Sequence, residues 1–228
     1  MQLGRWRRLM MGTGLVLLLT AVRLEQAGAV EIDALLDRMQ QAYESTPAIS
    51  ADFVQVATLS ALNREQTSSG RVYIQKPHSI RWEYSQPASQ TILYKDSDLR
   101  IYTPNRKQVL QSVVDADNRS NVALLFLAGI GTLRETFIVT ELPHTEAMVT
   151  RLQLQPRSPQ AGFTKLDIGV SQKSALISSL TIHDHIGNRT HIRFANLQLQ
   201  ETLPATLFEL KLPPDTEIIT QPNFSKQK

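Results

Sequence analysis

From residue 49 to residue 199, apolar side chains recur at every second position in run after run. That period constrains the fold more than any other feature, because it belongs to strands with one dry face and one wet face. ISADFVQVATL (49–59) sets Ile49, Ala51, Phe53 and Gln55 on one side. GRVYIQK (70–76) alternates Val72 and Ile74 against Arg71 and Tyr73. IRWEY (80–84) alternates Ile80, Trp82 and Tyr84 against Arg81 and Glu83. TILY (91–94) and LRIY (99–102) flank the turn KDSD, and TPNR turns again into KQVLQSVV. FIVTEL (137–142), AMVTRLQLQ (147–155), FTKLDIGVS (163–171), ALISSLTIHD (175–184) and RTHIRFANLQL (189–199) continue the pattern. LFELKLP (207–213) and EIIT (217–220) close the strand series. NREQTSS (63–69) reads as a turn-rich connection. The expectation is a mainly β chain of about 10–11 antiparallel strands, with no βαβ alternation.

Two segments depart from the period of two. EIDALLDRMQQAYES spaces Ile32, Leu35, Leu36, Met39 and Tyr43 as one helical stripe. Glu31 and Asp33 suit its first turn, and Thr46-Pro47 ends it. NVALLFLAG (121–129) follows the cap-type residues Asn118 and Ser120, and stops at Gly129. It reads as a short apolar helix, with a buried strand as the alternative.

The first residues read as a leader. Arg5, Arg7 and Arg8 precede an uncharged run from Leu9 to Val22, and Ala27-Gly28-Ala29 has the A-x-A cleavage pattern. The run is short for a membrane span. Cleavage after Ala29 makes 1–29 a signal peptide and 30–228 a single domain, expected to be soluble after export. The charge argument changes with it. The whole chain has 24 Lys+Arg and 21 Asp+Glu. Four of the arginines and one glutamate lie in the leader, which leaves 20 of each sign. A formally neutral chain gives no argument for nucleic acid.

Catalytic patterns are missing. The chain has no cysteine, hence no thiol nucleophile, no disulfide framework and no lipidation site. It contains no G-x-S-x-G, HExxH or P-loop. His183 and His185 share a strand face near His191, which supplies half a metal-ligand set. The bland reading is a hydrated hairpin end, and neither a metal nor a cofactor is expected. What remains is hydrophobic architecture. Two short helices are few to cover so many strands. The sheet either curls shut on its own side chains or leaves a cavity capped by helices. Pattern alone favours the filled interior.

Several segments together resemble the LolA family of periplasmic lipoprotein carriers. They are ADFVQ (51–55) after the leading helix, SGRVYIQKPHSIRWEYSQP (69–87), TILYKDSDLRIYTP (91–104) and FELKLPPDTEI (208–218). Their order and spacing match the family across nearly the whole chain after the leader, and the KP-x-x-I-x-W pattern is the most specific piece. The missing lipidation cysteine resembles LolA and differs from the lipoprotein acceptor LolB of similar fold.

The resemblance implies an incomplete antiparallel β-barrel, LolA/LolB-like, with a short-helix lid. It implies a non-enzymatic monomeric shuttle for acylated lipoproteins, with an inner-membrane ABC transporter as donor and a LolB-like outer-membrane acceptor. Ile80, Trp82 and Tyr84 would line the acyl cavity, with Phe53, Val72, Ile74 and Leu93 beside them. Leu124, Leu125 and Phe126 would belong to the lid. In familiar carriers the residue before the KP-type proline is an arginine that ties the lid to the barrel. Here that position is Lys76, which lacks the planar guanidinium fork. Its alternatives are a lid latch and a solvated strand-end charge. Two other functions compete with lipoprotein carriage: a LolA-like shuttle for another lipid or acylated pigment precursor, and a periplasmic lipid-sensing regulator.

Overall fold

A computed structural model describes residues 31–113, 133–143, 146–159 and 162–220. The leader and the 121–129 segment lie outside the described residues. The chain divides into two compact units, Met1–Arg38 and Met39–Lys228. The described part of the first begins helix α1 (31–44), in which Leu35 and Leu36 are buried. The helix ends one residue before the limit read from the sequence. Its last turns, in the second unit, bury Met39 and Tyr43.

The second unit is built on one sheet. Its strands are β1 (Ala48–Leu59), β2 (Arg64–Gln75), β3 (Ser79–Gln86), β4 (Gln90–Lys95), β5 (Asp98–Thr103) and β6 (Gln108–Val113). They continue with β7 (Phe137–Leu142), β8 (Val149–Pro156), β9 (Lys165–Ser171), β10 (Ile177–His183), β11 (Arg189–Gln200) and β12 (Glu217–Thr220). A four-residue helix α2 (Leu133–Thr136) precedes β7. The sheet order is β12-β6-β5-β4-β3-β2-β1-β11-β10-β9-β8-β7. β12 and β7 are its two ends, so the sheet is open, as an incomplete barrel requires.

Three expectations need correction. The described residues form 12 strands, and one pairing is parallel: β12 lies alongside β6 with Ile218 opposite Val109. NREQTSS is largely strand, because Arg64–Ser69 pair in full register with Val54–Leu59. The true reversal is the short turn 60–62 with Asn63 at positive φ. Thr and Ser suit an exposed pleat as well as a turn. LFELKLP is not a strand. Residues 205–208 form a 3₁₀ turn, and the segment covers the outer face of the sheet. There Leu203 and Phe208 pack with Ala48 and Leu93, flanked by Tyr73, Leu207 and Leu210. Arg81 Nη1 holds the segment by donating to the Leu207 and Glu209 carbonyls at 2.9 and 3.2 Å.

The other face carries the main core. Its buried row includes Trp82, Val72, Ala51, Ile192, Leu180, Ile168 and Leu152 on successive strands from β3 to β8. This face is concave. Trp82 on β3 and Phe194 on β11 are three strands apart, about 14 Å on a flat sheet. Their ring centroids nevertheless lie 6.2 Å apart. Bulges at Ser50/Asp52, Ser69/Gly70 and Ile177/Ser179 supply local bends.

Gly70 is required at one of these bulges. A Cβ there would sit 1.8 Å from the Glu83 carbonyl oxygen. Its missing side chain also lets Phe53 and Tyr84, its partners on either side, meet edge-to-face at 5.0 Å. Gly70→Ala is therefore expected to separate β2 from β3 and lower stability by about 2–4 kcal/mol. Urea denaturation of the two proteins checks this.

Candidate functional site

The sequence parity of β1, β2 and β3 places Phe53, Val72, Ile74, Ile80, Trp82 and Tyr84 on the concave face, and the ladder brings them together. Val72 pairs with Trp82, and Ile74 with Ile80. Phe53 and Trp82 rings lie 4.6 Å apart, and Trp82 and Tyr84 rings 6.5 Å apart. Phe194 joins from β11. Sequence reading missed Phe194 because register, not local pattern, decides that it faces Phe53. The five aliphatic and aromatic residues other than Tyr84 are at most 2% exposed. The face is covered in this state, so any apolar guest must displace something.

Two polar groups sit within this apolar set. The Tyr84 hydroxyl donates to Gln55 Oε1 at 3.0 Å, and burial pushes its pKa up to about 12. Trp82 Nε1 is buried and has no hydrogen-bond partner among the described residues.

Leu93 does not join the set. It pairs with Arg81, not with Trp82, so it points to the outer face and packs in the Leu203–Phe208 cluster. The concave positions of β4 are Ile92, opposite Trp82, and Tyr94, opposite Ile80. Leu124 and Phe126 lie outside the described residues.

Tyr43 fastens the end of α1 across this face. Lys76 Nζ donates to its backbone carbonyl and lies 5.7 Å from its ring centroid. Its hydroxyl accepts the Ile177 N–H at 3.2 Å. Lys76 follows β2 and Ile177 opens β10, three strands away in the sheet order. One residue thus connects both flanks of the concave wall. The Lys76 N–H also donates to the Pro47 carbonyl at 2.9 Å, which fixes the chain just after the helix. Burial pushes the Lys76 ammonium below its ordinary value, while Glu44 pulls it up. The sequence placed Tyr43 on the apolar stripe. Its polar ends became visible only in three dimensions.

The same strands carry an open groove of about 430 Å³ beside Gly70, whose lining includes Phe53 and Val54 as well as Asp52, Arg71 and Glu83. Two of the three histidines of the candidate metal set are engaged in cross-strand pairs: His183 Nε2 lies 2.8 Å from Asp167 Oδ2, and His191 Nδ1 lies 2.8 Å from Thr181 Oγ1. Among the described residues, no three potential metal ligands cluster.

An unclosed antiparallel sheet with a buried apolar concavity, fastened by a helix instead of by strand closure, defines the structural class. The chain belongs to the LolA family, described as outer membrane lipoprotein carrier protein LolA, whose model matches residues 44–211. An outer-membrane lipoprotein carrier protein of Azotobacter vinelandii is 26% identical over 90% of this chain and 98% of its own length. The namesake of Methylococcus capsulatus is 29% identical over 79% of this chain and 85% of its own. An uncharacterized conserved protein of Thermus thermophilus shares the fold with a TM-score of 0.53 at 13% identity, covering 84% of this chain and 99% of its own.

Tyr43→Phe leaves the Ile177 N–H without its acceptor in a buried place. It is expected to lower stability by about 1–3 kcal/mol, measured by denaturant titration. Burial raises the Tyr43 pKa from 10.0 to about 12, against the Ile177 hydrogen bond. The folded state favours the neutral phenol. Its contribution is complete below pH 10 and is lost as pH rises toward 12. Stability measured over that window should fall more steeply in the wild type than in Tyr43→Phe.

Proposed function

We propose that this chain is a periplasmic carrier that binds the acyl chains of lipoproteins on its concave face and shuttles them from the inner to the outer membrane. The observation that carries the reading is the aromatic wall of buried Phe53 and Trp82 with half-buried Tyr84 and Phe194, beside a helix end held by polar bonds. Family membership gives the cargo class. Acylated lipoproteins are the cargo, an inner-membrane ABC transporter the donor, and a LolB-like protein the outer-membrane acceptor. Residues 1–29 act as the cleaved signal, and 30–228 form the single carrier domain. The protein breaks no covalent bond and acts as a monomer.

The energetics suit such a job. Burying one acyl CH₂ is worth about 0.8 kcal/mol. A chain of about sixteen carbons therefore resists crossing water by on the order of 10 kcal/mol. A carrier has to offset most of that without trapping the cargo. Here the covered face and the acyl chain compete for the same apolar surface, so loading displaces contacts that return on release. Phe53, Val72, Ile74, Ile80, Trp82 and Tyr84 line the acyl site. Lys76 acts as the latch through the Tyr43 carbonyl. Its depressed pKa means that folding disfavours the charged form, so the ammonium itself subtracts stability at neutral pH. A latch of this kind holds by geometry and opens readily.

Native mass spectrometry of the protein purified gently from periplasm tests the reading. The expected result is a co-purifying tri-acylated lipoprotein, absent from Trp82→Asp, together with uptake of a fluorescent acyl probe by wild type only. A different bound lipid would move the function to another cargo. A clean unliganded mass and no probe uptake would overturn it.

A further inference from the structure

Trp82 is 2% exposed, and its Nε1 has no hydrogen-bond partner among the described residues. A buried N–H left unpaired costs free energy that a phenylalanine in the same place would not incur. The ring itself is fully used: Phe53, Tyr84 and Phe194 surround it. The N–H finds no partner of full hydrogen-bond geometry among the described residues; a weaker interaction with Tyr84, one of the causes that lower that phenol's pKa, is the use it has. The Tyr84 hydroxyl gives its own proton to Gln55. The concave wall therefore offers one donor without a full partner in the middle of β3, amid rings and aliphatic side chains. A pure hydrocarbon cannot accept from it. A carbonyl oxygen can.

We propose that Trp82 Nε1 is the hydrogen-bond donor to the acyl carbonyl at the head of a bound chain, so that this face selects acyl chains over plain alkyl chains. The proposal rests on the carrier reading and adds a polar determinant to it. The acceptor is an ester or an amide carbonyl, the two ways in which a fatty acyl chain is attached to a glycerol or to an amine. Selectivity follows from an asymmetry: an acyl guest relieves the orphaned donor, whereas an ether-linked guest of equal length buries it again.

Three probes of equal chain length test this by displacement of a bound fluorophore from the full chain: a diacylglycerol ester, its dialkyl ether analogue and an N-acyl amide. Wild type is expected to bind a carbonyl-bearing probe about tenfold more tightly than the ether, the 1.4 kcal/mol expected of one hydrogen bond. Trp82→Phe should bring the ratio of carbonyl-probe to ether affinity down to about one, whatever the change of ring does to both. Whichever of ester and amide loses affinity in the variant identifies the attachment recognised. The Trp82 indole ¹H–¹⁵N signal, assigned by its absence from Trp82→Phe, should move downfield with that probe and not with the ether. Equal wild-type affinity for all three probes, with no indole shift, overturns the assignment and leaves the carrier reading standing. Failure of wild type to bind any of them overturns the carrier reading and the donor with it.

Discussion

An apolar sheet face that is not closed by its own strands must be covered by something else. Every other feature of this protein answers to that constraint. Twelve strands run from β12 to β7 without joining at the ends. Their concave side presents a continuous apolar row from β3 to β8. A closed barrel would fill such a space with side chains and hydrogen-bond the seam. Here Tyr43, at the end of α1, bonds to points three strands apart. Met39 and Tyr43 are themselves buried, so apolar packing and polar bonds hold this part of the chain together.

The outer face solves the complementary problem. Residues 201–213 fold back over β2 to β4, and Leu203 and Phe208 bury Leu93 and Ala48 from that side. Arg81 lies on the wet face of its strand, yet its guanidinium bonds two carbonyls of this segment and the Glu83 carboxylate at 2.6 Å. The β3 strand is thus dry on both sides near its start. Its concave side chains meet the aromatic wall, and its outer ones meet the returning chain.

Much of this was legible in the sequence. Alternation in ADFVQ, RVYIQ and IRWEY assigned the concave residues of β1 to β3 correctly, because one face of those strands is apolar and the other charged. Alternation failed at TILY. Both faces of β4 are apolar there, since Ile92 and Tyr94 face one layer and Leu93 the other. Only the pairing of Leu93 with Arg81 settles the side. Within the cover, LFELKLP (207–213) was read as a strand for a related reason: its apolar residues serve a surface contact made across more than a hundred residues. Tyr43 was legible as an apolar stripe member, but the bonds at its two ends come from β10 and the β2–β3 turn. No local window contains them.

The parallel pairing of β12 with β6 has one more consequence. An open sheet exposes rows of unpaired amides at its margins, and such margins recruit other chains. On the β6 side the margin is occupied by β12, from much later in the same chain. Lys107 pairs there with Asp215, and Gln108 Nε2 donates to Glu217 at 3.0 Å. Only four residues of strand are then left outermost, with Ile218 and Ile219 partly exposed. The segment that caps the margin is synthesised about a hundred residues after the strand it covers. Until it arrives, β6 is a sticky edge. The interval between the emergence of β6 and that of β12 is therefore when the nascent chain is most exposed to misassociation, and when a folding helper would matter most.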